Sequence, residues 1–86
     1  MLDSAIVDYL AEQGYARVPG HEQPVYEKYD PTEQISIADV TIADDCYVVT
    51  FERVDEDDYV QHSIMKDTVH SVSGFIDELN KAFELE

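Results

Sequence analysis

In QISIADVTIADDCYVVTFERV, Gln34 to Val54, two runs rich in β-branched and aromatic residues flank the polar pair Asp44-Asp45. Such runs favour strands, and a two-residue break between them reads as a tight hairpin. With Asp44-Asp45 as the loop, Ala43 faces Cys46, Ile42 faces Tyr47 and Val40 faces Val49, so the large apolar residues share one face. The alternation slips phase between Ile37 and Val40, which predicts a bulge near Ala38-Asp39.

On the C-terminal side, RVDEDDYV (Arg53 to Val60) places four consecutive acids ahead of another alternating run. Taking Asp55 to Asp58 as a four-residue loop pairs Val54 with Tyr59, Arg53 with Val60, Phe51 with His62 and Val49 with Ile64. On the N-terminal side, PVYEKY (Pro24 to Tyr29) reads as a strand and Asp30 to Glu33 as a turn, with Pro31 pre-set for its second position. The Pro- and Gly-interrupted stretch from Ala16 to Pro24 reads as a connector.

The strands are bracketed by helices. Leu2, Ile6, Tyr9 and Leu10 recur at helical spacing, Val7 widens the stripe, Asp3 or Ser4 can cap its start, and Gly14 can close it with Tyr15 folding back. Val69, Val72, Ile76, Leu79 and Phe83 form a second stripe, starting near Ser71 or Ser73, with Asp77 and Lys81 at a favourable i,i+4 spacing. The fold class is therefore α+β: an N-terminal helix, an antiparallel meander of three to four strands and a C-terminal helix (α-β-β-β-β-α). Both helices are expected on the sheet face that carries Val40, Ile42, Tyr47, Val49, Phe51 and Ile64. The order is similar to that of the double-stranded-RNA-binding domain in topology alone. Its basic helix N-terminus and its Gly- and Lys-rich motifs are absent, and the charge here has the opposite sign.

At 86 residues the chain supports one core. It is read as a single domain over residues 1–84, with Leu85-Glu86 as a cloning remnant ahead of a purification tag. Twenty Asp and Glu against five Lys and Arg give a formal net charge of −15. A chain so charged is expected to bind neither nucleic acid nor an anionic membrane directly. No apolar run reaches the length of a membrane helix, and the acidic N-terminus is unlike a secretory signal, so a cytoplasmic location is expected.

The residues for chemistry are sparse. An EF-hand loop starting at Asp55 would need Gly at its sixth position and Glu at its twelfth, where this chain has Val60 and Lys66, so no metal site is assigned. Cys46, the sole cysteine, reads as a small, half-buried strand residue near Asp67 on the face away from the helices. His62 reads as a satisfied interior or rim histidine, and His21 and His70 as solvated. Gly14, Gly20 and Gly74 never cluster into a phosphate loop. No catalytic residue, metal or cofactor is assigned, and the chain is expected not to be an enzyme. Of the six tyrosines, Tyr9, Tyr15 and Tyr47 read as core or core edge, while Tyr26, Tyr29 and Tyr59 sit at strand ends where a ring can face a partner.

Charge density sets the functional expectation. A folded 9.8 kDa chain exposes on the order of 5,000 Å², or about one net charge per 340 Å², against about one per 110 Å² on duplex DNA. Imitation of a phosphate backbone therefore requires the acids to gather on one side. A meander gathers them: its first and third hairpin turns lie at the same end, setting Asp30 and Glu33 beside Asp55, Glu56, Asp57 and Asp58. Asp44 and Asp45 mark the opposite end, and Asp8 with Glu12 extends an acidic row along the first helix. With Tyr29 and Tyr59 at its rim, the six-acid patch is the expected contact surface for a basic, nucleic-acid-binding protein. Phages and other mobile elements use this physics in small inhibitors. The alternative is a structural or regulatory adaptor that forms a homodimer through the edge strand PVYEKY or through the open-face strip of Cys46, Val48 and Thr50, with acidity serving only solubility.

Overall fold

The hairpin that dominates the sequence lies at the centre of the sheet. A computed structural model describes residues 2–32, 34–53 and 58–85. The order is α1 (Leu2–Glu12), β1 (Ala16–Val18), β2 (Val25–Asp30), β3 (Ile35–Ile42), β4 (Cys46–Arg53), β5 (Asp58–Met65) and α2 (Val72–Leu85). The strands form one open sheet in chain order, β1-β2-β3-β4-β5, every neighbour antiparallel. The α+β class and the placement of both helices are as read from the sequence, with one strand more.

The β3–β4 register is the expected one: Ile42 is opposite Tyr47 and Val40 opposite Val49, and the Ala43 N–H donates to the Cys46 carbonyl at 3.0 Å. The bulge falls at Ile37, one residue before the expected site: Lys28 pairs with Ala38 and Tyr29 with Ser36, leaving Ile37 unmatched. The β4–β5 register differs by two residues from expectation. Arg53 is opposite Asp58, Phe51 opposite Val60, Val49 opposite His62 and Tyr47 opposite Ile64. A shift of two leaves every side chain on its original face. The core was legible for that reason even with the pairing wrong.

β1 is a correction to the connector reading. Ala16 to Val18 pair with Glu27 to Val25, so PVYEKY is an interior strand over half its length and is not the sheet edge through which a homodimer was expected. Three residues without alternation carry too little pattern to announce a strand, and they become one by lying against β2.

α1 closes with a Schellman motif. Gly14 has φ +92°, the Tyr15 N–H donates to the Leu10 carbonyl at 2.9 Å, and the Gly14 N–H donates to the Ala11 carbonyl at 3.1 Å. Both Leu10 and Tyr15 are buried, supplying the hydrophobic contact that accompanies this motif. At the start of α2 the Ser71 hydroxyl caps the helix by accepting the Gly74 N–H at 3.1 Å. Lys81 pairs with Glu78 at 3.3 Å, not with Asp77, in a solvent-exposed contact of little energetic weight.

The core comprises Ile6 and Leu10 of α1, Tyr15 just after it, Ala38, Val40 and Ile42 of β3, Tyr47, Val49 and Phe51 of β4, Ile64, Val69, and Phe75, Leu79 and Ala82 of α2. Val69, Val72 and Leu79 of the expected stripe face the core, and Phe75 and Ala82 take the places expected of Ile76 and Phe83. Phe75 is fully buried, edge-on to Tyr47 at 5.2 Å and to Tyr9 at 6.5 Å between ring centroids. Phe83 rides at the margin, 37% exposed, with its ring against Phe51. Among the described residues no helix is long and apolar enough to cross a membrane.

Candidate acidic surface and open sheet face

The acids are distributed by the alternation of the strands. β2 ends at Asp30, paired with Ile35, and β4 ends at Arg53, paired with Asp58. Consecutive antiparallel pairing puts these two junctions at the same end of the sheet, with Asp30 and Asp58 three strand spacings apart, about 14 Å. The Asp30 carboxylate accepts the Thr32 N–H at 2.9 Å, the local bond expected of an aspartate opening a turn. Tyr29, at the same end of β2, is 49% exposed. Glu33, Asp55, Glu56 and Asp57 lie outside the described residues, and Asp58 and Tyr59 are described by their backbone alone. Asp44 and Asp45 are exposed at the opposite end, and Asp8 and Glu12 are exposed on α1. Tyr26 is half-buried and packs against the core.

Three of the five cations, Arg17, Lys28 and Lys66, lie on the helix side of the sheet. The Lys66 Nζ is 3.0 Å from Asp3 Oδ2 and 5.0 Å from the Tyr47 ring centroid, and Lys28 lies 5.8 Å from the centroid of the buried Tyr15. Arg17 is the register partner of Tyr26, on that same face. Asp3 does not cap α1 as expected. Its carboxylate accepts the Tyr47 hydroxyl and the Lys66 ammonium, tying the first turn of the helix to the sheet. The Tyr47 hydrogen bond, followed by Lys66, holds Asp3 below the usual carboxylate range against the opposing effect of burial.

The open face carries acids, hydroxyls and apolar groups, including the exposed Tyr29 and Met65. Glu27 on β2 is directly opposite Asp39 on β3, and the Ser36 hydroxyl donates to Asp39 at 3.4 Å. A groove of about 560 Å³ opens here, floored by Val25, Thr41 and Thr50 and walled by the connection from His21 to Gln23. Burial, followed by the Glu27 charge, raises the Asp39 pKa. Sequence reasoning missed this pair because its register depends on the Ile37 bulge. Cys46 and Val48 are half-buried on this face. Cys46 lies opposite Met65, not Asp67, as the shifted register requires, and burial and then the Asp45 carboxylate raise its pKa, away from a reactive thiolate. On the helix side, His62 packs edge-on to Phe51 at 5.9 Å. Its Nε2 is buried with no hydrogen-bond partner among the described residues, contrary to the satisfied histidine expected.

Like charges directly opposite across two strands repel by a few tenths to about 1 kcal/mol. Asp39→Asn is therefore expected to stabilise the fold at neutral pH by about 0.2–1 kcal/mol. Because the folded-state pKa is raised, the penalty is full above it and is relieved as pH falls below the ordinary value of 3.8, so the gain should vanish there. Urea midpoints of both proteins at neutral and acid pH check this, and a variant no more stable than the parent at neutral pH contradicts the repulsion.

Among the described residues no three His, Cys, Asp or Glu side chains are grouped to hold a metal ion. Compared with known proteins, the chain matches no family model, no curated protein and no solved structure.

Proposed function

We propose that this protein is a non-enzymatic binding module whose acidic surface engages a basic, nucleic-acid-binding surface on another protein. The observation that carries the reading is the meander itself. The turn after Asp30 and the connection between Arg53 and Asp58 leave the sheet at one end, so the acids of both segments contribute to one field. Fifteen net charges over 5660 Å² is about one per 380 Å², too sparse on average to resemble a nucleic acid. Local gathering compensates. In this reading the contact set is Asp30, Glu33, Asp55, Glu56, Asp57 and Asp58, with Tyr29 and Tyr59 as aromatic contacts; of these the structure describes the whole of Asp30 and Tyr29 and the backbone of Asp58 and Tyr59.

Affinity capture from a cell lysate at low salt, with the proteins that elute as salt rises identified by mass spectrometry, tests the proposal. Proteins that normally bind nucleic acid should elute progressively, and added duplex DNA should displace them. Retention that ignores salt, or no retention of basic proteins, contradicts it.

A further inference from the structure

We propose that the outer edge of β5 is a strand-addition site for an extended basic segment of the partner. The proposal rests on the reading above for the sign of the partner's charge and on separate observations for the place.

The Lys66 N–H donates to the Asp45 carbonyl at 3.0 Å, which makes 45 and 66 a hydrogen-bonded pair. Alternation along an antiparallel ladder then turns the backbone groups of Val60, His62 and Ile64 toward β4 and those of Tyr59, Gln61 and Ser63 outward. β5 is the last strand of the sheet, and among the described residues no backbone hydrogen bond outside the ladder reaches these three. The edge stops at Met65, whose carbonyl accepts from Thr68 through both its N–H and its hydroxyl.

Edge strands are ordinarily guarded by shortness, proline, charge or a bulge. The opposite edge, β1, is only three residues long. β5 has eight residues in unbroken register with β4, and Tyr59 to Met65 include no proline and no Asp, Glu, Lys or Arg. This unguarded edge begins where the acidic connection ends. A second copy of the chain would bring −15 against −15, whereas a basic segment would bring its charge alongside the acids at the Asp58 end. Backbone bonds to Tyr59, Gln61 and Ser63 would supply affinity, and alternate side chains would supply selectivity. The segment that fits alternates basic residues, on the open-face side, with apolar residues beside Val60 and Ile64.

A capped eight-residue peptide alternating arginine and valine is the probe. On saturation, the amides of Gln61 and Ser63 should exchange with solvent about tenfold more slowly, with His62 and Ile64, already bonded to β4, little changed. Gln61→Pro removes one outward donor without breaking the ladder, because its N–H faces away from β4, and should weaken the peptide about tenfold. If that variant fails to fold, the same peptide N-methylated on the amides facing β5 serves instead and should lose affinity comparably. Unchanged exchange at Gln61 and Ser63, or undiminished affinity both of the proline variant for the peptide and of the parent for the N-methylated peptide, would overturn the edge site while leaving a charge-driven partner at the turns. Protection of these amides by dimer formation without peptide would overturn the occupant.

Discussion

Replacing Phe75 with alanine is expected to lower the unfolding free energy by about 3–5 kcal/mol, the cost of removing a buried aromatic and leaving its space incompletely filled. Phe75 has no solvent exposure and meets Tyr47 and Tyr9 edge-on, so one side chain joins α2, the sheet and α1. A domain of 86 residues holds about 4–13 kcal/mol in total. The variant should therefore lie near the threshold of folding at room temperature. Phe75→Leu, which keeps most of the volume, should cost appreciably less. Urea unfolding followed by far-ultraviolet circular dichroism measures both. A loss below about 1 kcal/mol for the alanine variant would mean that α2 is not seated through this residue.

The second large effect concerns Asp3, a long-range polar tie between α1 and the sheet. Tyr47 is fully buried with its hydroxyl donated to Asp3, and burial and then Asp3 raise the phenol's pKa. Asp3→Ala deprives that hydroxyl and Lys66 of their common acceptor, at a cost of about 1–3 kcal/mol. The pH dependence follows from the direction of the Asp3 shift. Its folded-state pKa is depressed, so its contribution is fully present above 3.8 and is lost as pH falls through the lower folded value. The stability difference between parent and Asp3→Ala should therefore narrow steadily below about pH 4. A gap constant across that window would show that the carboxylate's charge is not what ties the helix. Tyr47→Phe, measured alone and together with Asp3→Ala, isolates the pair, and a coupling near zero would contradict the account.

How far the sequence announced these features depended on loop length. A two-residue loop, Asp44-Asp45, inside the Ala43–Cys46 closure leaves one sensible register, so Ile42 opposite Tyr47 and Val40 opposite Val49 could be read directly. The connection between β4 and β5 is long enough to close on Arg53 and Asp58 or two positions later, and hydrophobic alternation, whose period is two, cannot choose between those registers. β1 has no pattern of its own. In α2 the sequence offers two overlapping stripes, and the packing of Phe75 between Tyr47 and Tyr9 selects one. That the β2–β3 and β4–β5 junctions share one end was legible because it needs only the parity of a meander. The Glu27–Asp39 pair was not, because a single bulged residue sets which β2 residue faces which β3 residue.

The most direct test of the acidic surface compares two variants of equal charge. One neutralises Asp30, Asp55, Asp57 and Asp58 as Asn, and the other neutralises Asp8, Asp44, Asp45 and Asp77 as Asn. Binding of each to the basic protein recovered by low-salt capture is titrated across ionic strength. Loss of affinity and of salt dependence in the first variant, with both nearly retained in the second, is the predicted result. Equal weakening by the two sets would show that the partner responds to total charge and that the end of the sheet is no contact surface.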